Sequence, residues 1–438
     1  MTGAALEADV FRAAFERRSV ERPEPAWLVS LREQAFAAYS AKGLPTTRDE
    51  EWRFTSLQPI ARTPFVAATR FDAHETDLQA AGLVELPGAR LVFVNGRFHA
   101  GLSRPAADAR VESLRAVLQA DPGRLAGLVG REAKDLTPFT ALNTALFEDG
   151  ALVEIAPGAR VAEPIHLVHY ASDQAQPTAN HTRVLLLASR TSQATVVESH
   201  LGRGRYLANA TTEIRVEDGA RLDHVKLQRE GEGAFHVATL RAVLGRDARF
   251  DQHHVALGAA LSRADIEARF DAPGGESALF GLFHVDGERH ADSHTRLDHS
   301  APSATSRELY KGILDGRARG VFHGRIVVRK DAQKTNAHQS NRNLLLSREA
   351  LVQSTPQLEI FADDVKCKHG STTGQLDEAA LFYLRSRGLD ATQARSLLSY
   401  AFASDVIRAL PHAGLRAAVT AHLHGRLGGD REIREAAL

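Results

Sequence analysis

The single cysteine of the 438-residue chain, Cys367, lies two positions before His369 in the segment DDVKCKHGSTTG, residues 363–374. If this segment is a strand, Cys367 and His369 project from one face, while Lys366 and Lys368 occupy the other. Neighbouring lysines can favour the thiolate form of a cysteine, and a thiolate with an imidazole is a good ligand pair for iron or zinc. Two ligands make half of a four-ligand site, and the chain has no second cysteine. From the residues alone, a buried thiol beside a surface histidine is the simpler interpretation.

Other patterns of metal-binding or catalytic residues are incomplete. His290 and His294 have the four-residue spacing of a helical zinc pair, but Ala291 stands where the metalloprotease pattern needs a glutamate. His253 and His254 are adjacent, so on a strand they would point to opposite faces. The sequence has no GxxxxGK[ST] phosphate-binding loop and no GxSxG motif. Both observations argue against ATP hydrolysis and serine hydrolase chemistry by this chain.

Composition and charge are typical of a globular protein in a reducing compartment. Lys plus Arg and Asp plus Glu each number 54, so no net charge directs the chain to nucleic acid or to an acidic surface. One cysteine excludes an internal disulfide framework. The first residues lack the features of a secretory signal, and no apolar run approaches the roughly 20 residues of a membrane helix. We therefore predict a soluble cytoplasmic protein that is too long for one simple core.

The elements that would position Cys367 and His369 fall into three regions. Residues 1–150 predict a mostly helical N-terminal domain. Residues 151–375 contain short alternating apolar and polar runs, which predict strand after strand. Residues 376–438 return to a helical period and predict a C-terminal helical domain.

Local patterns define some elements inside these regions. The dipeptide Asn95-Gly96 predicts a tight turn between two strands. Asp390 and Gln393 form a capping box at the start of a C-terminal helix. Two apolar helix faces are expected: Trp27, Leu31, Ala35 and Ala38 in a helix that stops at Gly43, and Ala394, Leu397, Leu398, Ala401 and Phe402 in the capped helix.

Small residues recur at a loose period in the β region. Ala194, Ala220, Ala248 and Ala278 are separated by 26, 28 and 30 residues. This spacing favours a stacked strand array such as a β-helix, although periodicity alone leaves a sandwich as an equal alternative. The Asn, Gln, Ser and Thr side chains of residues 324–366 would form hydrogen-bonded ladders at the turns of such an array.

Four segments carry a resemblance to a known family: EEWRFTSL (50–57), SRELYKGIL (306–314), GVFHGRIVV (320–328), and the long stretch 334–389 that contains KCKHG and GQLD. The sequence resembles the SufB/SufD family of the SUF iron–sulfur cluster assembly system from about residue 49 to 408. Because it has one cysteine and carries KCxHG followed by GQLD, it is more similar to the SufD than to the SufB proteins.

The resemblance implies a mainly β fold, in which a right-handed parallel β-helix core is flanked by N- and C-terminal helical domains. It further implies a non-catalytic scaffold that pairs with SufB through the β-helix ends and binds the SufC ATPase through the C-terminal helices. A nascent iron–sulfur cluster would form at the interface with SufB, where His369 matches the family's histidine ligand and Cys367 the cysteine of the same segment. The isolated chain would hold no stable cofactor, and reduced flavin would associate with the complex.

Two other functions stay open on the residues themselves. A homodimer could hold metal across its two-fold axis, since two copies of Cys367 and His369 supply four ligands. A β-helix hydrolase or lyase would instead need a groove of convergent carboxylates.

Asp405 falls in the apolar stripe of a C-terminal helix, so its carboxylate requires either an internal base or a group on a partner protein. The resemblance favours a partner protein, and it predicts that the region around Asp405 contacts the ATPase.

Overall fold

The computed structural model describes residues 10–18 and 24–427 of the chain. The helices are α1 (10–18), α2 (Ala26–Lys42), α3 (Gln58–Ala61), α4 (Glu75–Ala80), α5 (Leu114–Ala120), α6 (Pro138–Leu146), α7 (Glu378–Ser386), α8 (Ala391–Ala409) and α9 (Ala413–Arg426). None of the helices in these ranges is both long and apolar enough to cross a membrane.

The strands come in two series that belong to two sheets. The first sheet contains β1 (Arg90–Val94), β2 (Arg97–Phe98), β5 (Ile165–Ala171), β7 (Gln193–Gly202), β9 (Arg221–Glu230), β11 (Arg249–Ala256), β13 (Glu276–Val285), β15 (Thr305–Leu314), β17 (Asn336–Leu345) and β19 (Lys366–Gly374). The second sheet contains β3 (Arg110–Ser113), β4 (Asp149–Ile155), β6 (Thr178–Ala188), β8 (Tyr206–Val216), β10 (Phe235–Leu244), β12 (Leu261–Phe270), β14 (His290–His299), β16 (Arg319–Val328) and β18 (Leu351–Ile360).

From β4 onward the chain passes alternately from one sheet to the other. From β6 onward each new strand pairs in parallel with the strand two places before it, for example β9 with β7 and β10 with β8. The result is a parallel β-solenoid of about eight coils between N-terminal and C-terminal helices. The predicted mainly β fold with a β-helix core and helical flanks is therefore confirmed, and the sandwich alternative is wrong.

One coil is close to the period expected from the small residues. Arg221 is the register partner of Arg249, so Ala220 and Ala248 occupy the same place in successive coils, where both are fully buried. A larger side chain at that place would collide with the corner of the next coil. Ala194 and Ala278 lie inside β7 and β13 instead, so they belong to a different place in the coil.

Apolar side chains fill the space between the two sheets, and the helices cover their outer faces. Helices α1, α2 and α6 pack on the outer face of the second sheet, against Leu207, Phe235 and Leu261. Helices α8 and α9 pack on the outer face of the first sheet, against Val225, Val255 and other apolar residues. Strands in the middle of both sheets are thus covered on both faces, which explains their nearly continuous burial.

The local predictions have mixed outcomes. β1 and β2 form the expected hairpin, and Asn95 and Gly96 both have positive φ (48° and 81°) as a tight turn requires. Helix α2 ends at Gly43, and Asp390 with Gln393 forms the expected capping box of α8. The predicted apolar faces are only partly right. The buried residues of α2 are Leu28, Arg32, Ala35, Phe36 and Tyr39, and those of α8 are Ala394, Ser396, Ser399, Ala403, Val406 and Ile407.

The division into domains at residues 150 and 375 stays a prediction. Strands β1 to β3 come before residue 150 and already belong to the two sheets, whereas β19 ends and α7 begins close to residue 375. The outer ends of the first and last predicted domains, residues 1–9 and 428–438, lie outside the described residues, as do residues 19–23.

Candidate functional site

The last coil of the solenoid, formed by β18 and β19, carries the residues that the sequence analysis singled out. Both strands are the last members of their sheets, so among the described strands each has a parallel neighbour on one edge only, β16 for β18 and β17 for β19. Every residue of β19 except Cys367 is exposed, whereas the strands of the middle coils are almost wholly buried. This end of the solenoid is an open sheet edge.

Cys367 and His369 lie next to each other on the inner face of β19. Cys367 pairs in register with Ala337 and His369 with Gln339, and both of those partners are buried inside the solenoid. Cys367 is half-buried and packs against the apolar interior, while His369 is exposed at its mouth. The prediction that the two side chains share one strand face is confirmed, and that face continues the interior of the solenoid.

The state of the thiol differs from the expectation drawn from the neighbouring lysines. Burial raises the pKa of Cys367 above its ordinary value, and a backbone hydrogen bond involving Ala337 offsets this only in part. Lys366 and Lys368 are exposed residues that alternate with Cys367 along the strand, so they belong to its opposite face. Burial of Cys367 therefore opposes the thiolate form that the neighbouring lysines could favour.

Cys367 and His369 do not form a complete metal site within the described part of the chain. No group of three convergent histidine, cysteine or carboxylate ligands in residues 10–18 and 24–427 includes either of them. The arrangement offers one sulfur and one imidazole at an edge, and the described residues supply no further ligand beside them.

Polar side chains continue from this pair into the interior. Gln339, the register partner of His369, is fully buried and donates a hydrogen bond to Glu308 (2.7 Å). Burial raises the pKa of Glu308 to about 7, so its carboxyl group can exchange a proton near neutral pH. Further along the same strand β17, Asn343 donates a hydrogen bond to Asn341 (2.6 Å). These ladders lie inside strands, whereas the sequence analysis placed them at turns.

A second polar group lies deeper in the solenoid and escaped the sequence analysis. Glu198 is 2.8 Å from Nε2 of His224, and Glu230 is 2.8 Å from Nδ1 of His236; all four side chains are buried. His200 lies between the two pairs, and burial holds its pKa well below the ordinary value. These buried residues could be found in the sequence as polar residues at alternate positions of β7 and β9. Their burial can be predicted only when it is known which face of each strand points into the solenoid.

The other histidines named from the sequence occupy strands. His290 and His294 are on β14, where four-residue spacing places both on the outer face, and His290 is 2.8 Å from the hydroxyl of Thr55. His253 and His254 lie on β11 and face opposite sides, as expected. The helical zinc-pair pattern therefore has no helix to support it.

Asp405 has an internal partner. Its Oδ2 accepts a hydrogen bond from Nζ of Lys311 (2.8 Å), and its Oδ1 accepts one from Arg408 (2.9 Å). The hydrogen bond from Lys311 is the main cause of the lowered pKa of Asp405. The Lys311 side chain is buried, while that of Asp405 is 49% exposed and lies beside rather than within the apolar contacts of α8. Contact between this region and the ATPase stays a prediction.

Comparison with known proteins identifies the family. The family model described as "SUF system FeS cluster assembly, SufBD core domain" matches residues 169–402, and the one described as "SufBD protein N-terminal region" matches residues 9–167. The chain is 33% identical over 419 residues to an iron–sulfur cluster assembly SufBD family protein of Synechocystis, with 92% of each chain covered. It is also 33% identical over 393 residues to the iron–sulfur cluster assembly protein SufD of Escherichia coli, with 88% of this chain and 90% of the relative covered. The chain therefore belongs to the SufBD family of SUF-system iron–sulfur cluster assembly proteins.

Proposed function

We propose that this chain is a non-catalytic scaffold subunit of a cytoplasmic SUF complex, which pairs with SufB through the open end of its solenoid and binds the SufC ATPase through its C-terminal helices. Family membership supports a role in iron–sulfur cluster assembly. The observation that carries the finer proposal is the last coil, where β18 and β19 each leave one edge without a strand among the described residues and Cys367 and His369 stand on its inner face.

Addition of strands from SufB to this edge would continue both sheets. The inner face of β19 would then be covered, so Cys367 and His369 would lie between two solenoids together with ligands from SufB. An iron–sulfur cluster usually takes four protein ligands, and the inner face of β19 supplies two at most, Cys367 and His369. The cluster is cargo that the two subunits hold jointly, and a bound iron would displace the proton of the Cys367 thiol.

The C-terminal helices offer a separate surface for the ATPase. None of the residues of α7 is buried, and its two aromatic side chains, Phe382 and Tyr383, are 76% and 56% exposed. Adjacent exposed aromatic residues are typical of binding surfaces, because they bury a large area at low entropic cost. Reduced flavin in the complex stays a prediction from the resemblance alone.

The test is cluster loading of the complex of this chain with SufB and SufC. The three proteins should co-purify, and the complex should load a cluster that this chain alone does not hold. His369→Ala should lower the cluster content at least tenfold, because no other imidazole lies on the inner face of β19, and Cys367→Ser should have a milder effect. Circular dichroism should show an unchanged fold in both variants, since His369 is exposed and Cys367 is half-buried.

Two results would contradict the proposal. If the His369→Ala complex loads cluster like the wild type, this histidine is not a ligand. If the chain alone forms a dimer that binds iron in proportion to two copies of Cys367 and His369, the alternative of a homodimeric metal-binding module is favoured, since the same open edge would accept a second copy.

A further inference from the structure

Three ligand atoms converge on the outer face of the second sheet, where the short 3₁₀ turn Glu50–Trp52 crosses β14 and β16. Oε2 of Glu51 lies 3.1 Å from Nδ1 of His294 and 3.4 Å from Nδ1 of His323, and the two Nδ1 atoms lie 3.2 Å apart. In tetrahedral zinc sites the bonds to nitrogen and oxygen are about 2.0–2.2 Å, which places ligand atoms about 3.3 Å from each other. The triangle of ligand atoms therefore has the size that a single ion requires.

The solenoid itself brings the two histidines together. His294 and His323 are register partners on the adjacent parallel strands β14 and β16, so their side chains stand side by side on one face. Both strands lie inside the sheet, with a paired strand on either edge. Two ligands are thus fixed by backbone pairing and do not depend on a loop.

The third ligand is held by packing and hydrogen bonds around its neighbour. Trp52 is buried, stacks on Phe139 with ring centroids 5.5 Å apart, and has the Arg263 guanidinium 3.8 Å from its ring centroid. Arg263 also donates to the backbone carbonyl of Glu51 (2.7 Å). The backbone of Glu51 is therefore fixed over the sheet, and its carboxylate is presented to the two imidazoles.

The imidazole of His294 is oriented so that Nδ1 faces Glu51 and His323, while Nε2 faces Asp292 and Arg263. Nε2 of His294 is 3.1 Å from Oδ1 of Asp292 and also 3.1 Å from Nη1 of Arg263. The two protons of Nη1 go to Oδ2 of Asp292 (2.7 Å) and to the Glu51 carbonyl (2.7 Å), so the Asp292 carboxylate lies beside Nε2 of His294 with its other oxygen, Oδ1, free of Arg263 Nη1. Metal-binding histidines usually have a carboxylate beside the nitrogen that does not face the ion, and Asp292 occupies that place next to His294.

The surroundings allow an ion to enter. The three ligands form part of the wall of a cavity of about 750 Å³, and the Glu51 side chain is 49% exposed. The Arg325 guanidinium lies 3.4 Å from Oε1 of Glu51. Its positive charge is therefore next to the carboxylate oxygen that does not face the histidines. A fourth coordination position would open into the cavity, which suits a water molecule or a small ligand.

We propose that Glu51, His294 and His323 form a binding site for one divalent first-row transition-metal ion, such as Zn²⁺ or Fe²⁺, with an open position toward the cavity. Two imidazoles and one carboxylate favour these ions over Mg²⁺ or Ca²⁺, which prefer oxygen ligands. The site is separate from Cys367 and His369, which lie on the last strand of the other sheet. It needs no partner protein, because all three ligands belong to this chain.

The test uses the full chain with the Cys367→Ser and His369→Ala changes, so that the pair at the open end cannot contribute ligands. After treatment with a chelator, calorimetric titration should show one Zn²⁺ bound per chain and no binding of Mg²⁺. With Co²⁺ as a spectroscopic probe, visible bands of a nitrogen- and oxygen-ligated ion should appear. His323→Gln and Glu51→Gln should each lower the affinity for Zn²⁺ at least tenfold.

His338→Gln is the matched control, because His338 is a partly exposed histidine on β17 of the other sheet. This variant should bind Zn²⁺ like its parent, and Zn²⁺ should raise the unfolding temperature of both but not that of His323→Gln. If His323→Gln fails to fold, Glu51→Gln decides the question, since this exposed side chain contributes little to the core. The proposal would be wrong if the parent does not bind Zn²⁺, or if the parent and Glu51→Gln bind it with equal affinity. The three groups would then be held together by a shared proton instead of an ion.

Discussion

At its N-terminal end the solenoid has a short antiparallel strand on each sheet, β2 on β1 and β3 on β4, whereas at its C-terminal end β18 and β19 are followed by no further strand among the described residues. All five residues of β1 are buried, and so are six of the seven residues of β4. By contrast, β18 has no fully buried residue and neither has β19. The same repeating coil therefore ends in two different ways.

The two ends of the solenoid differ in whether their sheet edges are covered. An unpaired sheet edge is a template for another strand, and proteins that must stay monomeric cover or interrupt such edges. Here the first coil is covered by β2 and β3, while the last coil exposes Leu351 and Ile360 at the two ends of β18 and Phe361 directly after it. We therefore expect the covered end to contribute more to stability, while the open end is the surface that the proposed pairing with SufB would use.

The largest expected effect is on stability at the covered end. Phe93 is fully buried on β1, and its replacement by alanine leaves a cavity, so Phe93→Ala should lower the free energy of unfolding by about 3–5 kcal/mol. Phe361, which is 61% exposed beside the open end, is the matched control, and Phe361→Ala should change the free energy of unfolding by less than about 0.5 kcal/mol. Urea denaturation measures both. Equal losses would contradict the division between the two ends.

The next effect concerns binding at the free edge of β19. The N–H of Lys366 bonds to Thr335 on the β17 side, so by alternation the N–H of Thr372 points to β17 and that of Thr373 to the open edge. Thr373→Pro should leave stability nearly unchanged, because proline is tolerated at an edge position, but should weaken pairing with SufB at least tenfold. The binding affinity can be measured by calorimetry or surface plasmon resonance.

Thr372→Pro provides the opposite case at the neighbouring position. It removes a donor that is paired within the sheet, so it should lower the free energy of unfolding by about 1–3 kcal/mol. If Thr373→Pro destabilises the chain as much as Thr372→Pro, the edge at Thr373 is already paired and the open-end interpretation is wrong.

A third prediction addresses the ATPase surface that follows the open end. Removing all of residues 376–438 is a poor test, because α8 and α9 cover the outer face of the first sheet and their loss would expose it. Replacing the exposed Phe382 and Tyr383 of α7 by alanine leaves that core intact. Each change should weaken SufC binding by about 2 kcal/mol if these residues are central to the contact.

The control for α7 is Phe54→Ala, which changes another exposed phenylalanine, in the N-terminal region. This variant should bind SufC like the wild type in a pull-down and in a calorimetric titration. Normal binding by the Phe382 and Tyr383 variants would mean that the ATPase contacts a different surface.

Alternation and recurrence predicted a long series of strands but left the sandwich open, and only the family resemblance favoured the solenoid, because periodicity does not show which strands pair. Ala220 and Ala248 gave the period, since only a small residue fits the corner of the coil. The helix faces were harder to predict. Arg32 is buried in α2 because its guanidinium donates to the backbone carbonyls of Thr144, Ala145 and Phe147, and no apolar pattern predicts such a residue.

The candidate sites show a similar limit. Cys367 and His369 could be paired from strand alternation alone, because they are neighbours in the sequence. His294 and His323 are one coil apart, and Glu51 comes from a distant turn, so only the register of β14 and β16 and the packing of Trp52 bring the three together. Placing the sequence on a coil of known length would have aligned the two histidines, but not the glutamate.

The smallest expected effect concerns Asp405, which lies in α8 against β15. Asp405→Asn keeps the shape of the side chain and removes its charge from the buried Nζ of Lys311, which still donates to the carbonyl of Phe402 (2.6 Å). The free energy of unfolding at pH 7 should fall by no more than about 1 kcal/mol, because solvent screens the half-exposed carboxylate. Arg408→Gln, which removes the more exposed partner, should have a smaller effect.

The contribution of Asp405 to the free energy of unfolding should depend on pH in a direction that can be measured. The hydrogen bond from Lys311 lowers the pKa of Asp405 in the folded chain, so the stabilisation is complete above the ordinary carboxyl pKa of about 3.9 and is lost as the pH falls through the lowered value. Below that value the protonated Asp405 and the asparagine are both neutral, and the two proteins should unfold at the same urea concentration. A difference that persists unchanged at low pH would show that the asparagine disturbs packing instead. If Asp405→Asn also abolishes SufC binding while stability changes this little, the carboxylate belongs to the ATPase contact as well as to its internal ion pair.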